Sequence, residues 1–345
     1  MAEENMLSPS LQNPPILNAY GIRLIAGTAN RRLAEDISKW MNVPLQDADI
    51  GTFADGEIKI HIKGNVRGTD AFIIQPMSPP VNDNLMELLL LINTLRLSSV
   101  KRVTVVCPYY GYARQDQKVQ ARVPISASAV ARLIYSMEPH RVVTIDLHCG
   151  QIQGFFPPSI PVDNLFAENE IILHLLKNWK DHFPLVNTNE VVIVSPDAGG
   201  VSRANRIAEK LQASGVVTVL KRRVEANVVA SMEMVGDVKG KVCIIVDDMA
   251  DTCGTLCKCA QLLKDNGALQ VFASITHGVF SLDALDRIEE SCLTSVFITD
   301  TIAQEENAKK CSKLCVVSIA VLLAKAIKRI HNEQSLSDLF LDWKF

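Results

Sequence analysis

Short apolar runs alternate with amphipathic segments along nearly the whole chain, and the alternation runs through twice. Residues 22–26, 71–74, 103–107 and 142–145 are apolar runs of strand length, while 31–40, 84–97 and 125–135 carry apolar residues at helical spacing. Strands joined through helices predict an α/β fold built on parallel sheet. After Asn164 the pattern returns, with strands predicted at 191–194, 217–220, 242–246 and 271–275 and helices near 202–213, 255–266 and 282–290. Residues 316–330 read as a last helix, followed by a polar tail. In each half one strand runs into a Pro-x-x-Gly turn, Pro108 to Gly111 and Pro196 to Gly199. A later strand in each half ends in acid, Asp146 in the first and Asp247 with Asp248 in the second. The offsets are similar but unequal, as a divergent duplication would leave them.

A length of 345 residues suits two such domains. Residues 1–20, with Pro9, Pro14 and Pro15 and no periodicity, are expected to be a flexible N-terminal extension. Thirty-five Lys and Arg against 38 Asp and Glu leave a formal charge of -3, so no global positive field is available for nucleic acid or an anionic membrane. Any anion has to be met locally. The longest apolar stretch, 314–324, is interrupted by Ser318 and falls short of the roughly 20 residues of a membrane span. Glu3 and Glu4, with no Arg before Arg23, argue against secretory or organellar targeting, and the chain is expected to be cytoplasmic. Nine scattered cysteines fit reduced thiols.

The sharpest chemical signal lies at residues 243–255, where an apolar strand reaches Asp247 and Asp248 and a loop of small and hydroxylated residues opens a helix. Ligands of open α/β sheets bind at the carboxyl ends of strands, and a helix start offers free N–H groups to an anion. A phosphate would sit at Asp251, Thr252, Cys253, Gly254 and Thr255. Asp247 and Asp248 would then face vicinal sugar hydroxyls, which carboxylates accept from. The plainer reading is a solvated acidic turn capped by Asp251 or Thr252. Cys253, Cys257 and Cys259 lack a second Cys/His pair at zinc spacing and read as thiols.

This segment resembles the ribose-phosphate loop of type I phosphoribosyltransferases, and other motifs narrow the resemblance to ribose-phosphate pyrophosphokinases, also called phosphoribosyl pyrophosphate synthetases. They include Phe53-Ala54-Asp55-Gly56-Glu57, Asn82-Asp83-Asn84-Leu85-Met86-Glu87, Tyr112-Ala113-Arg114-Gln115-Asp116, Asp146-Leu147-His148, Gln151-Ile152-Gln153-Gly154-Phe155-Phe156, Pro161-Val162-Asp163-Asn164-Leu165 and Ser195-Pro196-Asp197-Ala198-Gly199-Gly200. The resemblance runs from about residue 22 to residue 340. It implies two tandem phosphoribosyltransferase-like domains, each a mainly parallel sheet flanked by helices. The first would span 21–167, joined by the tail 331–345, and hold ATP and allosteric contacts. The second, 168–330, would hold ribose 5-phosphate.

The resemblance assigns ATP to Phe53, Asp55 and Glu57, an adenine pocket completed across a subunit boundary, and to Arg114, Gln115 and Asp116. Ribose 5-phosphate would meet Asp197, Arg223, Asp247, Asp248 and the 251–255 loop. His148 and Asp197 would hold Mg2+, although imidazole is an unusual partner for so hard a cation. Lys221 and Arg223 match a mobile catalytic loop, where cations would stabilise charge on the group in transfer. Inorganic phosphate, a possible activator, would meet Arg67, Ser99, Gln153, Ser335 and Ser337. Two departures stand out: Gly150 replaces a serine of that pocket, and Pro157-Pro158-Ser159 follows Gly-Phe-Phe where members place an acid.

The activity implied is transfer of diphosphate from ATP to ribose 5-phosphate, for nucleotide biosynthesis, by dimers forming a hexamer. A silent regulatory subunit is the alternative, but such relatives lose motifs that this chain keeps. A base-dependent phosphoribosyltransferase is disfavoured by the ATP motifs.

Overall fold

The computed structural model of the chain describes residues 21–182, 187–225, 228–337 and 339, without the side chains of 221–231. The expected extension 1–20 lies outside these residues. The first half runs β1 (Ile22–Ala26), α1 (Arg31–Met41), β2 (Ala48–Thr52), β3 (Ile58–Ile62), β4 (Asp70–Ile74), α2 (Val81–Leu97), β5 (Arg102–Cys107), α3 (Ser126–Ser136), β6 (Arg141–Ile145) and β7 (Val162–Leu165). Its main sheet has the order β1-β4-β5-β6-β7 and is parallel throughout. The strands are nearly continuous apolar runs because helices cover both faces, as a parallel sheet requires. β2 and β3 pair as a separate antiparallel ribbon that the apolar pattern missed, since alternate residues of each strand face solvent.

The second half continues with α4 (Glu168–Lys177), α5 (Trp179–His182), β8 (Val191–Ser195), α6 (Val201–Leu211), β9 (Gly215–Glu225), β10 (Val228–Val235), β11 (Val242–Ala250), α7 (Gly254–Asp265), β12 (Gln270–Gly278), α8 (Ala284–Glu290), β13 (Ser295–Thr299), α9 (Glu305–Lys310), β14 (Leu314–Val317) and α10 (Ala320–His331). Its sheet has the order β10-β9-β8-β11-β12-β13-β14, parallel except for β10. The architecture is α/β with parallel sheets flanked by helices.

Three segments differ from their sequence reading. β11 does not stop before the acids but runs through them to Ala250, pairing Asp247 with Ile275 of β12. β9 extends beyond 220 and forms an antiparallel hairpin with β10, in which Lys221 lies opposite Met232 and Arg223 opposite Val229. The single helix expected over 316–330 is instead strand β14 followed by α10. The β-branched Val316 and Val317 complete the sheet edge beside β13, and the Asp300 carboxylate then accepts from Ile319 N at 2.7 Å at the start of α10. The apolar stripe of α10, including Leu323 and Ile327, packs with α1 over Leu24 and Phe72 of the first sheet. His331 Nδ1 lies 2.7 Å from Asp70 Oδ2, which also pairs with Arg102. The helix therefore sits with the first sheet, a packing that the expected boundary at residue 330 does not follow.

The two sheets meet through buried polar bonds. Thr276 donates to Asp146 Oδ2 at 2.8 Å, and His277 Nε2 lies 3.0 Å from the Ile145 carbonyl, with Tyr109 against its ring. Burial holds the His277 pKa below its ordinary value of 6.5, only partly offset by Asp146 and Asp248. As pH falls through 6.5 the unfolded chain therefore binds a proton here that the folded chain does not, so acid favours unfolding, by at most about 1.4 kcal/mol per pH unit. Comparing thermal unfolding of wild type and His277→Gln between pH 7.5 and 5.5 tests this. The wild-type midpoint is expected to fall more steeply, and parallel slopes would remove His277 as the cause. Among the described residues, no helix is long and apolar enough to cross a membrane.

Candidate active site

A cavity of about 480 Å3 opens where β8 and β11 end and α6 and α7 begin. The position follows from the local sequence. The apolar register of β11 buries Ile245 and Val246, after which Asp247 and Asp248 emerge at the sheet's carboxyl edge. Cys253 then takes a left-handed conformation, φ 58, and turns the chain into α7. The first turn of α7 has no acidic residue, so its N–H groups meet the cavity without a competing carboxylate. Burial pushes the Cys253 thiol up to about 12, which keeps it neutral beside that helix start. Gly254 leaves room for Arg287, whose guanidinium donates to the Thr252 carbonyl at 3.2 Å and ties the loop to α8.

The cavity is an arrangement of acids around one half-buried cation. Arg203 Nη1 lies 3.7 Å from Asp248 Oδ1 and 4.0 Å from Asp247 Oδ1. His148 Nδ1 lies 2.7 Å from Asp248 Oδ2, leaving Nε2 as its other ligand atom. That bond raises the imidazole pKa above its ordinary value. Burial alone would raise both aspartates, and it does raise Asp247, with the Asp248 and Asp197 charges, to about 8. For Asp248 the bond to His148 and the charge of Arg203 outweigh burial and hold it well below the usual carboxylate range. The surroundings thus push the two carboxyl groups in opposite directions, Asp248 toward the charged form and Asp247 toward the protonated one.

Asp197 faces the same cavity, with Oδ1 accepting from Gly200 N at 3.1 Å. Arg114 donates to Asp251 Oδ2 at 2.6 Å across the two halves. Arg114 also borders a second cavity of about 530 Å3, lined by Gln115, Tyr109 and Tyr112. One guanidinium therefore joins the two spaces. Two buried polar atoms at the first cavity, Arg203 Nε and Asp251 Oδ1, have no hydrogen-bond partner among the described residues, as groups awaiting a ligand would.

Of the residues singled out in the sequence, Asp197, Asp247, Asp248, Asp251, Thr252, Cys253 and Thr255 line the first cavity with Arg114 and His148, and Gly254 starts α7 beside it. Phe53, Asp55 and Glu57 are elsewhere, in the exposed turn between β2 and β3, with Phe53 54 % exposed and Asp55 accepting from Glu57 N at 3.1 Å. Lys221 and Arg223 lie on β9 by backbone, and their side chains are outside the described residues. Ser335 and Ser337 line a third cavity with Arg102, His140 and Arg141. Arg67, Ser99 and Gln153 do not share it; Gln153 donates to the Gly150 carbonyl at 2.9 Å. Cys259 is core, and Cys257 Sγ lies 3.5 Å from the Arg287 carbonyl.

Sequence reasoning missed Arg203. The signal was present: 203, 207 and 211 fall on one face of α6, where Ile207 and Leu211 are buried. A cation on an apolar stripe needs a buried partner. It also missed that Asn84 and Glu87 serve structure. Glu87 accepts from Thr28 N at 2.7 Å and from its hydroxyl at 2.6 Å, and Asn84 donates to the Ser78 carbonyl at 2.8 Å, fixing the loops after β1 and β4.

Comparison with known proteins gives the family of the chain. Residues 22–137 match the N-terminal domain of ribose phosphate pyrophosphokinase, and residues 216–341 match a phosphoribosyl synthetase-associated domain. Ribose-phosphate pyrophosphokinase A of Dictyostelium discoideum is 48% identical, over 94% of this chain and 99% of its own. The ribose-phosphate pyrophosphokinase of Pasteurella multocida is 46% identical, over 92% and 99%. The crystal structure of phosphoribosylpyrophosphate synthetase from Mycobacterium smegmatis superimposes with a TM-score of 0.82 at 38% identity, covering 90% of this chain and 99% of that one. With matches across nearly the full length of both sequence relatives and of a solved structure, the chain belongs to the ribose-phosphate pyrophosphokinase family.

Proposed function

We propose that the chain transfers diphosphate from ATP to D-ribose 5-phosphate, giving AMP and 5-phosphoribosyl 1-pyrophosphate for nucleotide biosynthesis. The observation that carries this reading is the single cavity in which two adjacent carboxylates and a helix N-terminus lie side by side, the pair of partners that a phosphorylated sugar needs. The anomeric hydroxyl oxygen attacks the β-phosphorus of ATP, the bond to the α,β-bridging oxygen breaks, and AMP departs. Asp247 and Asp248 accept from the ribose hydroxyls, and residues 251–255 hold the 5-phosphate. Arg114 exchanges Asp251 for triphosphate oxygens, with Gln115 and Asp116 beside it.

The carboxylates of Asp197 and Asp251, the latter with a buried oxygen lacking a partner among the described residues, are hard oxygen donors and fit a divalent cation such as Mg2+. Asp197 and His148 through Nε2 would hold it, and when bound it supplies charge neutralisation on the phosphates. Lys221 and Arg223 are assigned the same task on the departing group. The first half is assigned ATP and the second ribose 5-phosphate.

An exposed Phe53, in one turn with Asp55 and Glu57 and not among the residues lining the first two cavities, supports an adenine pocket completed by another subunit, hence a homo-oligomer built from dimers, a hexamer in the family pattern. The separation of Arg67, Ser99 and Gln153 from Ser335 and Ser337 likewise supports an activating phosphate site assembled between subunits. A cytoplasmic location fits this chemistry. The enzyme relatives match over nearly their whole length, which leaves the regulatory-subunit reading without support.

Purified protein with Mg-ATP and ribose 5-phosphate is expected to release AMP and phosphoribosyl pyrophosphate in equal amounts, and Lys221→Ala to release almost none. ADP as the nucleotide product, or no AMP with and without inorganic phosphate, would overturn the reading.

A further inference from the structure

On the opposite face of the second sheet from α7, three side chains from three elements converge. His174 lies in the last turn of α4, His182 ends α5, and Cys315 lies on β14 at the sheet edge. Each offers a ligand atom, and these atoms all lie within 4.8 Å of one another. His174 Nε2 and Cys315 Sγ are already 3.4 Å apart. A tetrahedral ion with bonds of about 2.0 Å to nitrogen and 2.3 Å to sulfur keeps its ligand atoms roughly 3.3–3.6 Å apart, so the group closes on an ion by a shift of about 1 Å. We propose that His174, His182 and Cys315 form a three-ligand site for a borderline transition-metal ion, Zn2+ by its donor set, separate from the catalytic cavity.

The donor set selects the ion. Two imidazoles and a thiolate suit Zn2+ and its neighbours and do not suit Mg2+ or Ca2+, which take oxygen. The surroundings favour a bound ion with little competing water. Phe297 packs against both imidazoles, at ring-centroid distances of 4.8 Å to His182 and 6.1 Å to His174, and all three ligands are half-buried. The Cys315 thiol, raised by burial, gives up its proton on binding: the S–H bond breaks, an S–Zn bond forms, and the proton passes to solvent. Because the three residues join α4 and α5 to the edge strand, the ion clasps the outer side of the second sheet and does no chemistry on substrate.

The test uses the full chain, reduced, stripped with chelator and held in excess Mg2+, titrated with Co2+ as a spectroscopic stand-in and then with Zn2+. One equivalent of Co2+ is expected to produce a thiolate-to-cobalt charge-transfer band that Zn2+ abolishes. Cys315→Ser is expected to lose the band, and His174→Asn and His182→Asn to weaken binding by roughly 100-fold. No such band in the wild-type protein overturns the proposal, as does a band that survives Cys315→Ser. A band that depends on Cys315 but is indifferent to both histidine variants would also overturn it.

Discussion

Arg203→Met is expected to destabilise the protein by about 3 kcal/mol and to lower kcat/KM for ribose 5-phosphate about 1,000-fold. Removing one partner of a buried charge cluster costs about 3–5 kcal/mol, because the remaining charge is stranded out of water. The lower end applies here, since Asp247, with a pKa pushed up to about 8, already relieves part of the repulsion by keeping its proton. Asp248 has no such outlet and would face Asp247 with His148 alone to balance it. Urea unfolding gives the stability change, and AMP release at varied ribose 5-phosphate gives the rate. A loss under about 1 kcal/mol in the single variant would show that water, not Arg203, balances the acids.

Asp248→Asn is the complementary change, preserving shape while halving the acceptor capacity that the ribose hydroxyls use. Hydrogen bonds to a charged acceptor contribute about 1.5–3 kcal/mol each, so two weakened bonds lower kcat/KM for ribose 5-phosphate about 1,000-fold. The KM for ATP should stay within about 3-fold, because the proposed triphosphate contacts lie at Arg114. The variant also removes the main cause of the raised His148 pKa, so the imidazole should titrate closer to its ordinary 6.5 by NMR. An equal loss for both substrates would place Asp248 in general folding of the cavity instead of ribose binding.

Much of this was legible in the sequence, for a physical reason. Strands buried on both faces must be apolar throughout, so β1, β4, β5 and β6 announce themselves within a residue of their ends. The loop after β11 also stood out, because an apolar strand reaching two acids and then small and hydroxylated residues at a helix start is a local pattern. The ribbon of β2 and β3 was not, since its residues lie half in water and carry no continuous apolar run. Arg203 and the Thr276–Asp146 and His277–Ile145 bonds were hidden for a different reason. Their partners lie 45, 130 and 132 residues away in sequence, and local pattern carries no information about which distant strand ends meet.

The packing of α10 against the first sheet bears on how the chain is made. Leu24, Phe72 and Ile74 belong to strands that leave the ribosome early, yet part of their cover is Leu323, Ala326 and Ile327 of α10, which follows the whole second sheet in the chain. At about 5–20 residues per second, that face waits on the order of 10–30 s after β7 has emerged. During translation the nascent first half presents an apolar surface that only α10, made after the whole second sheet, can close, so ribosome-bound chaperones bear on it more heavily than on the second sheet.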